Sequence, residues 1–206
     1  ADVAASTDLT GALYFGGDWQ LEFQVGNVET SVIANAVTQQ QWAGLMSVAV
    51  DAVSTGSTTG TTLTISHTTT TDNYRLMLVG VTISETGTTA VSSMTYAGVS
   101  LSLVGTVKTT GARVEIWSLV APTSGTNNLV VNLTNAGAGT NVGVMTFAGV
   151  NQAAALGTFG STFGTGTTGS TTLSSGQDEL MFGVAAVRAT DQNLAPGTGQ
   201  TEVWDL

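Results

Sequence analysis

The sequence predicts an all-β fold, an antiparallel β-sandwich of jelly-roll type carrying an N-terminal β-hairpin and short-helix extension. Three observations predict it. From residue 61 onward, about eight or nine short apolar or alternating runs recur between Gly, Asn, Ser and Pro punctuation. Helical periodicity is almost absent from them. Thr, Ser, Gly and Asn supply the hydrated surface that charge normally would: 9% of the 206 residues are charged, against about 25% in ordinary soluble domains.

Taken in order, the first element is "DWQLEFQV". Trp19, Leu21, Phe23 and Val25 alternate with Gln20, Glu22 and Gln24, the period-two signature of a half-buried strand. Gly26-Asn27 makes a turn, and "VETSVI" runs back as a second strand bearing Val28, Val32 and Ile33. Val37, Trp42 and Leu45 are then spaced for a short helix. So short a segment, residues 1–46, cannot build a core of its own. Residues 47–60 hold a Gly/Ser/Thr stretch that reads as a linker.

Residues 61–206 supply the sandwich. "TLTISHT" alternates, whereas "YRLMLVGVTIS" is apolar on both faces, as a central strand covered on both sides would be. "SSMTYAG" and "VSLSLVGTV" flank a turn at Ala97-Gly98. "RVEIWSLVA" ends at Pro122, and "LVVNLT", "VGVMTFAGV", "ELMFGVAAVRA" and "TEVWDL" complete the set of expected strands. No internal repeat points to a solenoid or propeller.

Charge excludes whole classes of partner. Four basic residues stand against fourteen acidic ones, for a net charge of -10. Nucleic-acid binding needs clustered Lys and Arg to displace counterions, and so do anionic membranes. No stretch of about 18 apolar residues predicts a membrane span. With no Cys there is no disulfide and no thiolate chemistry. An acidic, Lys-poor, Thr/Gly/Asn-rich chain opening at Ala1 is expected to be a processed product or a fragment of an extracellular bacterial protein.

Candidate chemistry is sparse. His67 is the single histidine. A zinc site needs three or four convergent ligands and a nucleophile-base-orienter set needs partners, so His67 reads as a surface or strand-end residue. Asp178 and Glu179 are adjacent and would point to opposite faces of a strand, so they make no acid/base dyad. Structural calcium is the one cofactor candidate, with oxygen ligands sought at Asp72 and Asn73 and at Asp191 and Asn193. Trp19, Trp42, Trp117 and Trp204 each sit inside an apolar alternation, which places them in a core or interface rather than on a sugar-stacking platform.

Two resemblances follow. "ADVAASTDLTG", "GGDWQLEFQVGNVET" and "QQQWAGLM" resemble the C-terminal end of an uncharacterised domain found near the N-termini of very large secreted bacterial surface proteins, often adhesins. The larger α/β part that precedes this segment in that family is absent from the sequence, so no catalytic role carries over. "MTYAGVSLSLVGTV", "VEIWSLVAPTSGTNNLVVNLT" and "VMTFAGVNQ" resemble a lectin-like β-sandwich module of secreted bacterial proteins, which usually continues a strand or two past "TEVW".

Together these readings lead to the expectation of a non-catalytic, extracellular structural protein at the bacterial cell surface. The hairpin residues Trp19, Leu21, Phe23, Val25, Val28, Val32 and Ile33 form an apolar face too large to leave in water. Burying four such side chains is worth on the order of 6–10 kcal/mol. A sandwich lacking a terminal strand would accept them by strand addition, and a donor from a neighbouring subunit would give a polymer. The alternatives are a carbohydrate-binding module that takes a glycan and a monomeric fragment of a giant adhesin.

Overall fold

The computed structural model describes residues 3–5, 21, 23–26, 48–84, 87–136, 139–164, 170–176, 179–187 and 195–205. The chain divides into two compact units, Ala1–Ser47 and Val48–Leu206. In the first, β1 (Val3–Ala5) pairs antiparallel with β2 (Phe23–Val25). Leu21 is half-buried, but Phe23 and Val25 are 53% and 51% exposed. Trp19, Val28, Val32, Ile33 and the helix expected before residue 46 lie outside the described residues.

The second unit is an antiparallel β-sandwich. Its strands are β3 (Ala49–Thr58), β4 (Thr62–Thr69), β5 (Leu76–Ser84), β6 (Val91–Tyr96), β7 (Val99–Ser100), β8 (Ser102–Thr109), β9 (Ala112–Val120), β10 (Gly125–Leu133) and β11 (Thr140–Ala148). One sheet runs β4-β10-β6-β7 and the other β3-β11-β5-β9-β8. Their facing side chains make one core. Met77, Val79, Val81 and Ile83 of β5 and Val142 and Val144 of β11 meet Met94 and Tyr96 of β6 and Leu129 and Val131 of β10, all at most 1% exposed.

Local chemistry explains the elements. β5 is central and covered on both faces: its odd positions enter the core, while Leu76 and Leu78 pack outward with Met145 and Phe147. The β6–β7 hairpin closes with Tyr96 opposite Val99, and its two turn residues, Ala97 and Gly98, have φ of 51° and 81°. Two consecutive positive φ values give a type I′ turn, whose twist matches that of the flanking strands.

Two sequence expectations fail here. Residues 49–58, expected within a linker, form β3, a ten-residue strand paired along β11. Ser and Thr read as linker because they are polar, but the β-branched Val50, Val53, Thr55 and Thr58 suit an edge strand. Conversely, "ELMFGVAAVRA" and "TEVWDL" form no strand among the described residues. Phe182, Val184 and Ala186 do alternate with more exposed neighbours, so the pattern reports a face turned inward and not a backbone ladder.

Candidate functional site

One side of the sandwich is formed by β3 and β4, the edge strands of the two sheets, joined through residues 59–61. They approach closely because Gly56 has no side chain: a Cβ there would come 3.0 Å from Ile65 Cγ1 and 3.5 Å from Leu63 Cδ1. A buried polar chain crosses the same seam. His67 Nδ1 lies 2.9 Å from Ser54 Oγ, and its Nε2 lies 3.2 Å from Thr146 Oγ1. Thr146 Oγ1 in turn donates to Asp51 Oδ2 at 2.8 Å.

A β-bulge places the carboxylate. Ala52 stands opposite Thr146 and Val50 opposite Phe147, so Asp51 is the extra, unopposed residue of β3. Bulges re-aim side chains in this way. Asp51 Oδ2 also accepts from Thr70 N at 3.2 Å, whereas Asp51 Oδ1 is buried without a hydrogen-bond partner in the structure.

Proton counting fixes the direction of the chain. A threonine hydroxyl has one proton, and that of Thr146 goes to Asp51, so the hydroxyl accepts from His67 Nε2–H. In the neutral imidazole Nδ1 is then an acceptor and takes the Ser54 proton. Every donor points towards Asp51. Burial holds the His67 pKa below its ordinary value, and the negative charge of Asp51 opposes that shift. Behind the imidazole, the Tyr96 ring packs edge-on at 6.1 Å, with its hydroxyl hydrogen-bonded to His67 O and Gly125 O, each at 3.2 Å.

Of the two placements the sequence suggested, surface or strand end, His67 is not at the surface: it is 1% exposed, near the end of β4. The signal was present: His67 is in phase with Leu63 and Ile65, the inward positions of β4. Its partners were not legible, since Ser54 and Thr146 lie 13 and 79 residues away. The chain has the directional order of a nucleophile-base-orienter relay. Ser54 Oγ, however, is turned inward against β4. What the chain does here is tie β3 to β4 and β11 across both sheets, clamping the edge strand in place.

The two sides of the sandwich differ in how their edges are guarded. At the far side, β7 is two residues long, and β8 carries Lys108 and a bulge at Val104, between Leu103 and Gly105. At the near side, Ala52–Thr58 of β3 runs without Pro, without charge and in continuous register. Among the described residues no strand pairs with its outer side. Val53 there is 39% exposed.

Among the described residues no group of three or more His, Cys, Asp or Glu side chains is placed to hold a metal. Of the calcium candidates, Asp72 Oδ2 accepts from Thr70 Oγ1 at 2.9 Å, and the Asp72 carbonyl accepts from Arg75 Nη1. The Asn73 carbonyl accepts from Gly149 N at 3.3 Å. Asp191 and Asn193 lie outside the described residues. Trp117 packs against the core and donates Nε1 to Glu115 Oε2 at 2.9 Å, and Trp204 packs on the outer face of the five-stranded sheet.

A family model described as "Domain of unknown function (DUF4347)" matches residues 1–46. No curated protein and no solved structure matches the chain. Among the described residues no helix is long and apolar enough to cross a membrane.

Proposed function

We propose that the chain is a non-catalytic extracellular structural protein, a subunit of a bacterial surface filament or adhesin built by β-strand addition between subunits. The observation that carries this reading is the edge of β3, which no strand pairs among the described residues and which runs from Ala52 to Thr58 in continuous register with neither charge nor proline. Such an edge presents a row of unpaired N–H and C=O groups that another strand can satisfy. The Asp51–Thr146–His67–Ser54 chain supports it by holding β3 rigidly, so that an incoming strand meets a preformed template. On the donor side, Phe23 and Val25 of β2 leave apolar side chains in water. The residues proposed as donors remain Trp19, Leu21, Phe23, Val25, Val28, Val32 and Ile33.

A head-to-tail contact of this kind generates a fibre when its rotation does not close into a ring. Electron microscopy at raised protein concentration tests it. Uniform fibres are expected from the full chain and are expected to vanish when residues 1–46 are deleted or when Val53→Lys and Ser57→Lys are combined. A folded chain that stays monodisperse at all concentrations would overturn the reading.

A further inference from the structure

The outer face of the five-stranded sheet carries a row of glycines. Gly143 of β11 stands opposite Gly80 of β5, Gly80 opposite Ile116 of β9, and Ile116 opposite Gly105 of β8. The row points away from the core, because the inward positions of β5 and β11 are the alternate residues Val79, Val81, Val142 and Val144. Strands lie about 4.8 Å apart, so the adjacent glycines of β11 and β5 leave one short hollow, which the Ile116 side chain separates from a second over Gly105.

Residues from three separate parts of the C-terminal region cover the three glycines, one each. A Cβ at Gly143 would overlap the indole of Trp204, one at Gly80 would overlap Val184, and one at Gly105 would come within 2.5 Å of the Phe159 ring. Any side chain at these positions would lift the covering residue off the sheet. The Trp204 indole is further held by Phe182 at 6.0 Å, which meets Phe147 edge-on at 6.3 Å.

Among the described residues the covering segments make no ladder with the sheet. Among the described residues after β11, none belongs to a strand, and Gln200 N bonds only locally, to Gly197 O at 3.0 Å. The region around Trp204 is therefore held by side chains and not by rows of backbone hydrogen bonds. Releasing it breaks one aromatic contact set, and an identical segment from elsewhere restores that set in full.

We propose that the hollow over Gly143 is a binding trench for a tryptophan-anchored peptide, that Trp204 of residues 200–205 is its resident occupant, and that the same segment of a second copy of this chain takes its place. Exchange of an identical element between protomers costs little, because the contacts made in trans repeat those made in cis. The trench lies on a sheet face and is separate from the β3 edge, so it stands or falls independently of strand addition there.

The test uses the full chain and a labelled peptide of sequence QTEVWD, the segment itself. Trp204→Ala empties the trench, and the peptide is expected to bind that variant at least tenfold tighter than the wild-type chain, whose own segment competes. Adding Gly143→Val to Trp204→Ala fills the trench and is expected to abolish binding while the circular dichroism spectrum stays that of the single variant. The peptide QTEVAD, which lacks the anchor, is expected not to bind, and it serves as the control should the glycine variant fail to fold. A folded Trp204→Ala chain that takes up no QTEVWD, or that takes up QTEVAD equally well, would overturn the proposal.

Discussion

The two sides of the sandwich are built from the same materials to opposite ends. At the β7/β8 side a two-residue strand, a bulge at Val104 and Lys108 interrupt the edge. These are the devices by which sheet proteins avoid pairing with one another. At the β3/β4 side the edge is long and uncharged beyond Asp51, and a buried hydrogen-bonded chain stiffens it. Even the bulges differ in use. The one at Val104 disrupts an edge, whereas the one at Asp51 turns a carboxylate inward to anchor it. A protein that only needed to stay monomeric would have reason to treat both sides alike.

The largest effect expected from breaking this contrast is all-or-none. Val53→Lys with Ser57→Lys gives the β3 side the charge that β8 already has. Assembly, followed by sedimentation, should be lost, while the melting temperature moves little, because exposed substitutions of this kind change stability by about 0.5 kcal/mol or less each.

Next comes the clamp. His67→Ala leaves the Ser54 and Thr146 hydroxyls without their shared partner. Truncating one member of a buried network should cost about 2–4 kcal/mol, read by urea unfolding. Lys108→Ala at the guarded side removes an exposed hydrogen bond to Gly87 O and should cost under about 0.5 kcal/mol.

The same histidine gives the near side an acid dependence. Its folded pKa is depressed below the unfolded value of 6.5, chiefly by burial. The folded state therefore binds this proton less well than the unfolded chain does. Stability is at its full value above about pH 6.5 and falls as pH drops towards the lowered folded value, by at most about 1.4 kcal/mol per pH unit. His67→Gln should remove that slope below pH 6.5 in equilibrium unfolding.

A modest effect is expected at the far hairpin. Gly98→Ala forces a side chain into a φ of 81° and should cost about 1 kcal/mol in thermal unfolding, without touching assembly.

How much of this was legible in the sequence depends on the range of the interaction. The run "YRLMLVGVTIS" announced a central strand, and Ala97-Gly98 announced a turn, because both signals are local. β3 was missed since hydroxyl residues suit loops and edge strands equally, and only pairing with β11, some 90 residues on, decides between them. The polar chain was missed for the same reason: Asp51 meets Thr146 across 95 residues. The C-terminal alternation around Phe182 and Val184 was misread for the opposite reason. It is a true signal of one-sided burial, but the cover rests on glycines and not on a neighbouring strand.

Backbone amide hydrogen exchange on assembled and dispersed material tests strand addition at β3 most directly. In an edge strand, alternate N–H groups face away from the sheet, so part of Ala52–Thr58 should exchange quickly in the monomer. Assembly should protect those amides together with residues 19–33, while Ser102–Thr109 of β8 stays unchanged. Equal exchange of β3 in both states, or protection appearing at β8 instead, would contradict the account.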